Sequence, residues 1–180
     1  MKATLKILAL AAALVFLGCN DRVDEVDSGG VLLEVEFEET IFRVGVNSTT
    51  LVQIPSTSIN SIVARPSGVS SQLMDVQLET VEVTFTRLDT GTRVPPPFYF
   101  NVISTVPAGG TLTYDNMPIM SFDQLNRPPL SDLKFENGGY DRETGASLVK
   151  LLATVRVYGK TVSGKNVAST PRSQNLEFVP

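Results

Sequence analysis

The chain has 180 residues, with 15 Lys and Arg against 19 Asp and Glu, one cysteine, no histidine and no tryptophan. The missing histidine removes the commonest general base and metal ligand, and the missing tryptophan removes the strongest stacking platform; both absences weigh against catalysis. A net charge of −4 argues against nucleic acid as a partner and against electrostatic adsorption to anionic lipid, and a single thiol cannot form an internal disulfide.

Lys2 and Lys6 make a small basic start, Ile7 to Leu17 is uncharged and apolar, and Gly18-Cys19 closes the run before polar Asn20-Asp21-Arg22. This is the layout of a secretory signal, and the apolar stretch is too short for the ~20 helical residues that span a bilayer. Val15-Phe16-Leu17-Gly18-Cys19 resembles the bacterial lipobox, with Phe16 where that family usually carries Leu. The resemblance covers residues 1–19. It implies cleavage before Cys19, diacylglycerol on the Cys19 sulfur and often a third acyl chain on the new amino group. Two or more chains anchor a protein stably where one holds it only marginally. Asn20 stands after the cysteine instead of the Asp that retains some lipoproteins at the inner membrane, so the comparison favours the outer membrane, with either face open.

Loss of residues 1–18 would leave 162 residues carrying a net charge of −6, enough chain for one independent core. Residues 19–30 are acidic and end in Ser28-Gly29-Gly30, the composition of a flexible tether. Ten such residues reach ~17 Å on average and at most ~35 Å, which keeps the domain near its membrane.

From Val31 onward the chain reads as strands. Val31, Leu33, Val35 and Phe37 alternate with Glu34, Glu36 and Glu38, and Phe42, Val44 and Val46 repeat the period of two. Leu51–Ile54 and Ile59–Ala64 are predicted as two short strands, stopped by Pro55 and Pro66. Val76 and Leu78 lie on the opposite parity from Val81, Val83 and Phe85, which predicts a bulge near Thr80. After a turn at Asp89-Thr90-Gly91, Pro95-Pro96-Pro97 introduces a strand at Phe98–Ile103, and Gly109-Gly110 precedes another at Thr111–Tyr114. Ile119–Phe122 is a further short strand, and Pro128-Pro129 and Asn137-Gly138-Gly139 bracket an irregular segment. The clearest alternation runs from Val149 to Lys160, with a hairpin turn at Ser163-Gly164, and Val167–Ser169 and Leu176–Val179 complete a sheet.

Short strands with frequent turns and no helical periodicity predict an all-β fold, an antiparallel β-sandwich with long loops over residues 31–180. The layout resembles the immunoglobulin-like or fibronectin-like domains of bacterial surface proteins, without the disulfide-and-tryptophan core of antibody domains.

Four stretches could carry chemistry. Ser131-Asp132-Leu133-Lys134 has the S-x-x-K spacing of penicillin-binding proteins, where a helix sets Lys one turn from Ser, but it follows two prolines and lacks the partner motifs, so an exposed loop is expected. Asp141 and Glu143 are the named candidate ligands should a metal such as Ca²⁺ bind, although Arg142 between them opposes a cation and a hairpin loop is the plainer reading. Glu34, Glu36, Glu38 and Glu39 form a solvated acidic face that discourages edge pairing, where glycoside hydrolysis would need carboxylates across a cleft. Phe98 and Phe100 are expected inside and Tyr99 outside, which with Tyr158 on a polar strand face gives two candidate partner contacts. Asn47-Ser48-Thr49 fits a glycosylation sequon that a bacterial lipoprotein would not normally use.

The expectation is a membrane-tethered, non-enzymatic interaction or structural module of the cell envelope, with no cofactor. Its partners would be the membrane, through lipid, and an envelope protein or polysaccharide. The alternative is a sandwich that binds a glycan or small ligand for adhesion or uptake.

Overall fold

A computed structural model describes residues 30–64 and 71–180. Cys19, the signal segment and nearly all of the tether lie outside the described residues, as does Pro66. Nine strands make up just over half of the described residues: β1 (Val31–Phe37), β2 (Ile41–Gly45), β3 (Val52–Val63), β4 (Val76–Arg87), β5 (Phe98–Val106), β6 (Thr111–Met120), β7 (Val149–Thr161), β8 (Asn166–Ala168) and β9 (Arg172–Val179). They form an all-β, sandwich-like fold. A three-stranded sheet has the order β1-β3-β6, and a six-stranded sheet has the order β2-β9-β7-β4-β5, with β8 also paired to β7. Among the described residues no helix is long and apolar enough to cross a membrane.

Alternation fixes what each sheet buries. Val31, Leu33 and Val35 of β1 face the core with Val81 and Val83 of β4, Val149, Leu151, Ala153, Val155 and Val157 of β7, and Leu176 and Phe178 of β9. Their polar neighbours take the outer faces, so one period-two pattern specifies both register and burial.

Several expectations change. The two short strands around Pro55 are one strand, β3, and Thr111–Tyr114 continues through Met120 as β6. The register sets Pro55 opposite Asn116, which adopts a left-handed φ of 56°, and both strands change face at this rung. Val52 and Ile54 point inward before it and Thr57, Ile59 and Ser61 after it, while Met117 and Ile119 on β6 are inward on the opposite parity from Leu112 and Tyr114. The strand therefore survives a proline that breaks its alternation. β1 ends at Phe37, opposite Thr57, so the missing N–H of Pro55 falls beyond that ladder.

The sandwich is also not wholly antiparallel. β2 runs parallel to β9, because Glu38-Glu39-Thr40 carries the chain from one sheet to the other without reversing it. Finally, Phe122 starts a one-turn helix, α1 (Phe122–Leu125), instead of ending a strand, and Ser121 and Gln124 cap it reciprocally. The segment after it is not an exposed loop. Two short 3-10 turns, Leu130–Leu133 and Phe135–Asn137, fold it against the sandwich, and Leu125, Leu130 and Leu133 are fully buried.

The predicted bulge is present. β4 shifts register between Leu78 and Thr80 against both β5 and β7, which lets Leu78 and Val81 share the core face although they are three residues apart.

Candidate functional site

Two side-chain clusters stand out, one on the open face of the large sheet and one at its end. On the open face, Glu82 of β4 pairs with Tyr99 of β5 on one side and with Arg156 of β7 on the other. The Tyr99 hydroxyl donates to Glu82 Oε1 at 2.9 Å and the Tyr158 hydroxyl donates to Glu82 Oε2 at 2.7 Å. The Arg156 guanidinium lies 5.3 Å from the centre of the Tyr158 ring, within cation–π range. The hydrogen bond to Glu82 holds the Tyr99 phenol above its ordinary range, and burial followed by the same carboxylate does so for Tyr158. Both therefore stay protonated as donors, and Glu82 is held between them. The result is a flat patch crossing three strands, two phenols clasping one carboxylate, with Tyr99 57% exposed.

The sheet builds this patch from parity. Val81, Val83, Val155 and Val157 bury, so Glu82, Arg156 and Tyr158 must face outward, and Tyr99 does so because Phe98 and Phe100 turn toward the core. Neither Tyr is sequence-adjacent to the other, and the structure brings both named contacts onto one carboxylate. Glu82 and Arg156 escaped notice in the sequence. Alternation reveals that they face out, but only strand order reveals that they meet the tyrosines.

The second cluster is buried. Arg87 closes β4 with its side chain 4% exposed, donating from Nε to Asp89 at 2.6 Å and from Nη2 to fully buried Asp141 at 2.8 Å. Arg93 donates to Asp132 at 3.0 Å and to Asp141 at 3.5 Å. Asp141 also accepts from the Thr144 hydroxyl and the Glu143 amide. Glu143 accepts from the Thr92 amide and hydroxyl and from the Arg93 amide. Burial by itself would raise Asp141 and Asp89, but their hydrogen bonds to Arg87 and to neighbouring donors outweigh it and hold both below the carboxylate range. Amide donors hold Glu143 down at about 2. Burial pulls Arg87 down, yet Asp89 and Asp141 together keep it above its ordinary value.

The oxygens of Asp141 and Glu143 are thus engaged by N–H and O–H donors, with guanidinium groups where a cation would sit. Among the described residues no group of three or more His, Cys, Asp or Glu is arranged to hold a metal ion. The cluster ties the 87–93 turn to the 132 and 141–144 loops across the sheet end, which is a structural task.

The remaining candidates separate. Ser131 is buried in its 3-10 turn and gives its backbone carbonyl to the Asn137 side chain, while the Lys134 ammonium is hydrogen-bonded to Asn126. The helical Ser–Lys geometry of the penicillin-binding motif is not formed. Glu36 and Glu38 line a shallow polar hollow of about 210 Å³ with Phe37, Ser56 and Ser58, and among the described residues that line it no carboxylate faces them from the other side.

No protein-family model and no curated protein matches this chain. The functional reading therefore rests on the residues and their placement.

Proposed function

We propose that this protein is a lipid-anchored extracytoplasmic lipoprotein of the cell envelope. In this reading Cys19 carries the lipid, the tether through Gly30 gives reach, and a non-enzymatic sandwich presents the Tyr99–Glu82–Tyr158–Arg156 face to an envelope partner. The observation that carries the contact surface is the convergence of the two tyrosine hydroxyls on Glu82 across three strands. Tyr and Arg are the side chains that dominate recognition surfaces, because they give large contact area with few rotatable bonds. The strand plan supports an immunoglobulin-like sandwich. The first strand is divided between the sheets, its second part runs parallel to the last strand, and β4 and β7 form the centre of the larger sheet.

Two measurements test the reading separately. Metabolic labelling with a palmitate analogue should mark the wild-type chain and not Cys19→Ala, with the label in the membrane fraction, the outer membrane being favoured. An unlabelled wild-type chain recovered in the soluble fraction would refute the anchor. For the surface, crosslinking in intact cells should capture an envelope protein that Tyr99→Ala with Tyr158→Ala loses. The flat mixture of phenols, guanidinium and hydroxyl-bearing Thr80, Thr84 and Thr154 also suits a polysaccharide. Saturable glycan-array binding that the same double variant abolishes would favour that partner.

A further inference from the structure

We infer that the free edge of β5 pairs with the β5 of a second copy of this chain, joining two large sheets into one. Among the described residues the two sheets end at β1, β6, β2 and β5, with the three-residue β8 beside β7, and of the four sheet ends three are guarded. β1 carries Glu34 and Glu36, and its edge is already bridged to Ser169. β2 is five residues long and holds Arg43. β6 contains Asp115, Pro118 and the left-handed Asn116. Charges, prolines and shortness are how sheet edges avoid pairing.

β5 has neither charge, proline nor shortness, and its one irregularity is a bulge against β4, across which its own inward and outward alternation continues unbroken. Phe98-Tyr99-Phe100-Asn101-Val102-Ile103-Ser104-Thr105-Val106 is nine residues without a charge or a proline, in a chain of net charge −4. Among the described residues its backbone pairs with β4 alone. Val102 and Ile103 together oppose Glu79 at the bulge, and Ile103 is completely exposed. Phe98 and Phe100 are only partly buried, with ring centres 5.8 Å apart, and Phe100 lies 6.5 Å from Tyr114 of β6. This aromatic row lies along the side of the sandwich where β5 is open, so an added strand would cover it.

The occupant is argued from symmetry. Pro97 and Pro107 bound the strand at equal distances from Val102. An antiparallel second copy centred on Val102 sets each Pro97 opposite the other copy's Pro107, so both ladders stop where the backbone stops donating. The same register opposes Tyr99 to Thr105, Phe98 to Val106 and Asn101 to Ile103, aromatic against β-branched, with no like charges facing. The two Tyr99 side chains would then lie ~20 Å apart along one continuous outer face. The pairing stands apart from the lipid anchor and from the identity of any partner.

Sedimentation of the detergent-solubilised full chain over a range of concentrations tests it. The wild type should show a monomer–dimer equilibrium. Asn101→Lys with Ile103→Lys sets ammonium groups opposite each other across the pair and should weaken it by roughly tenfold or more, as should Asn101→Asp with Ile103→Asp. Mixing the two double variants should restore a dimer, while Thr113→Lys on β6 should leave the wild-type equilibrium in place. Thermal melts report that each variant folds, and Ile103→Lys alone, at a fully exposed position, serves if a double variant does not. A wild type that is monomeric throughout, a dimer that survives like charges, or a mixture that stays monomeric would each overturn the pairing.

Discussion

Asp141 illustrates how a residue's neighbours decide its role. In sequence it is a loop carboxylate near Glu143, a plausible oxygen donor for a cation. In the fold it is fully buried against Arg87, which lies 54 positions earlier. Removing one member of a buried ion pair strands the other, at a cost of about 3–5 kcal/mol. Urea denaturation of Asp141→Ala should show a loss toward the lower end of that range, because Asp89 still pairs Arg87, and Arg87→Met with Asp141→Leu should recover only part of it, because Asp89 then loses its guanidinium. Tyr99→Ala should behave differently. The side chain is more than half exposed and its single hydrogen bond to Glu82 is open to solvent, so thermal stability should be nearly unchanged. A large loss of thermal stability in Tyr99→Ala would place this tyrosine among the structural residues instead.

At the scale of elements, periodicity located most strands, and the failures have a common cause. The bulge at Leu78–Thr80 was legible because two well-formed alternations of opposite parity meet there. The turn of face at Pro55 was not, because a proline with broken alternation reads as a strand end. Only the opposing left-handed Asn116 shows that β3 and β6 turn together and carry on. Leu125, Leu130 and Leu133 have no period-two pattern, so their burial is decided by the surface they pack on. The bulge makes its own demand on the neighbouring strand. Gly159 of β7 pairs with Leu78, and a Cβ there would collide with the Gln77 carbonyl oxygen and crowd Val76. Because a backbone atom cannot swing aside as a side chain can, Gly159→Ala should destabilise by about 1–3 kcal/mol in a chemical denaturation series, despite the higher strand propensity of alanine.

For the whole molecule, the charge cluster at the sheet end predicts acid lability. Glu143 falls from 4.5 to about 2 on folding, and Asp89 and Asp141 also lie below their ordinary values. A depressed carboxylate stabilises the fold fully above its unfolded value, and that stability drains as pH drops through the folded value. The melting temperature should therefore be level above about pH 5 and fall steadily between about pH 4.5 and pH 2. Glu143→Gln should lower the plateau and flatten part of that fall. A melting temperature that holds to pH 2 would show that these carboxylates contribute little.

The sequence by itself determined the all-β character, the parity of most strands, the outward direction of Tyr99 and Tyr158 and the bulge in β4, because each follows from side chains alternating along a single extended segment. Tertiary structure decided which strands are neighbours. That choice joined the two tyrosines through Glu82, gave Asp141 its arginines, ran β2 parallel to β9 and left β5 as the unguarded edge. Such pairings depend on contacts between residues dozens of positions apart, and a local pattern carries no record of them.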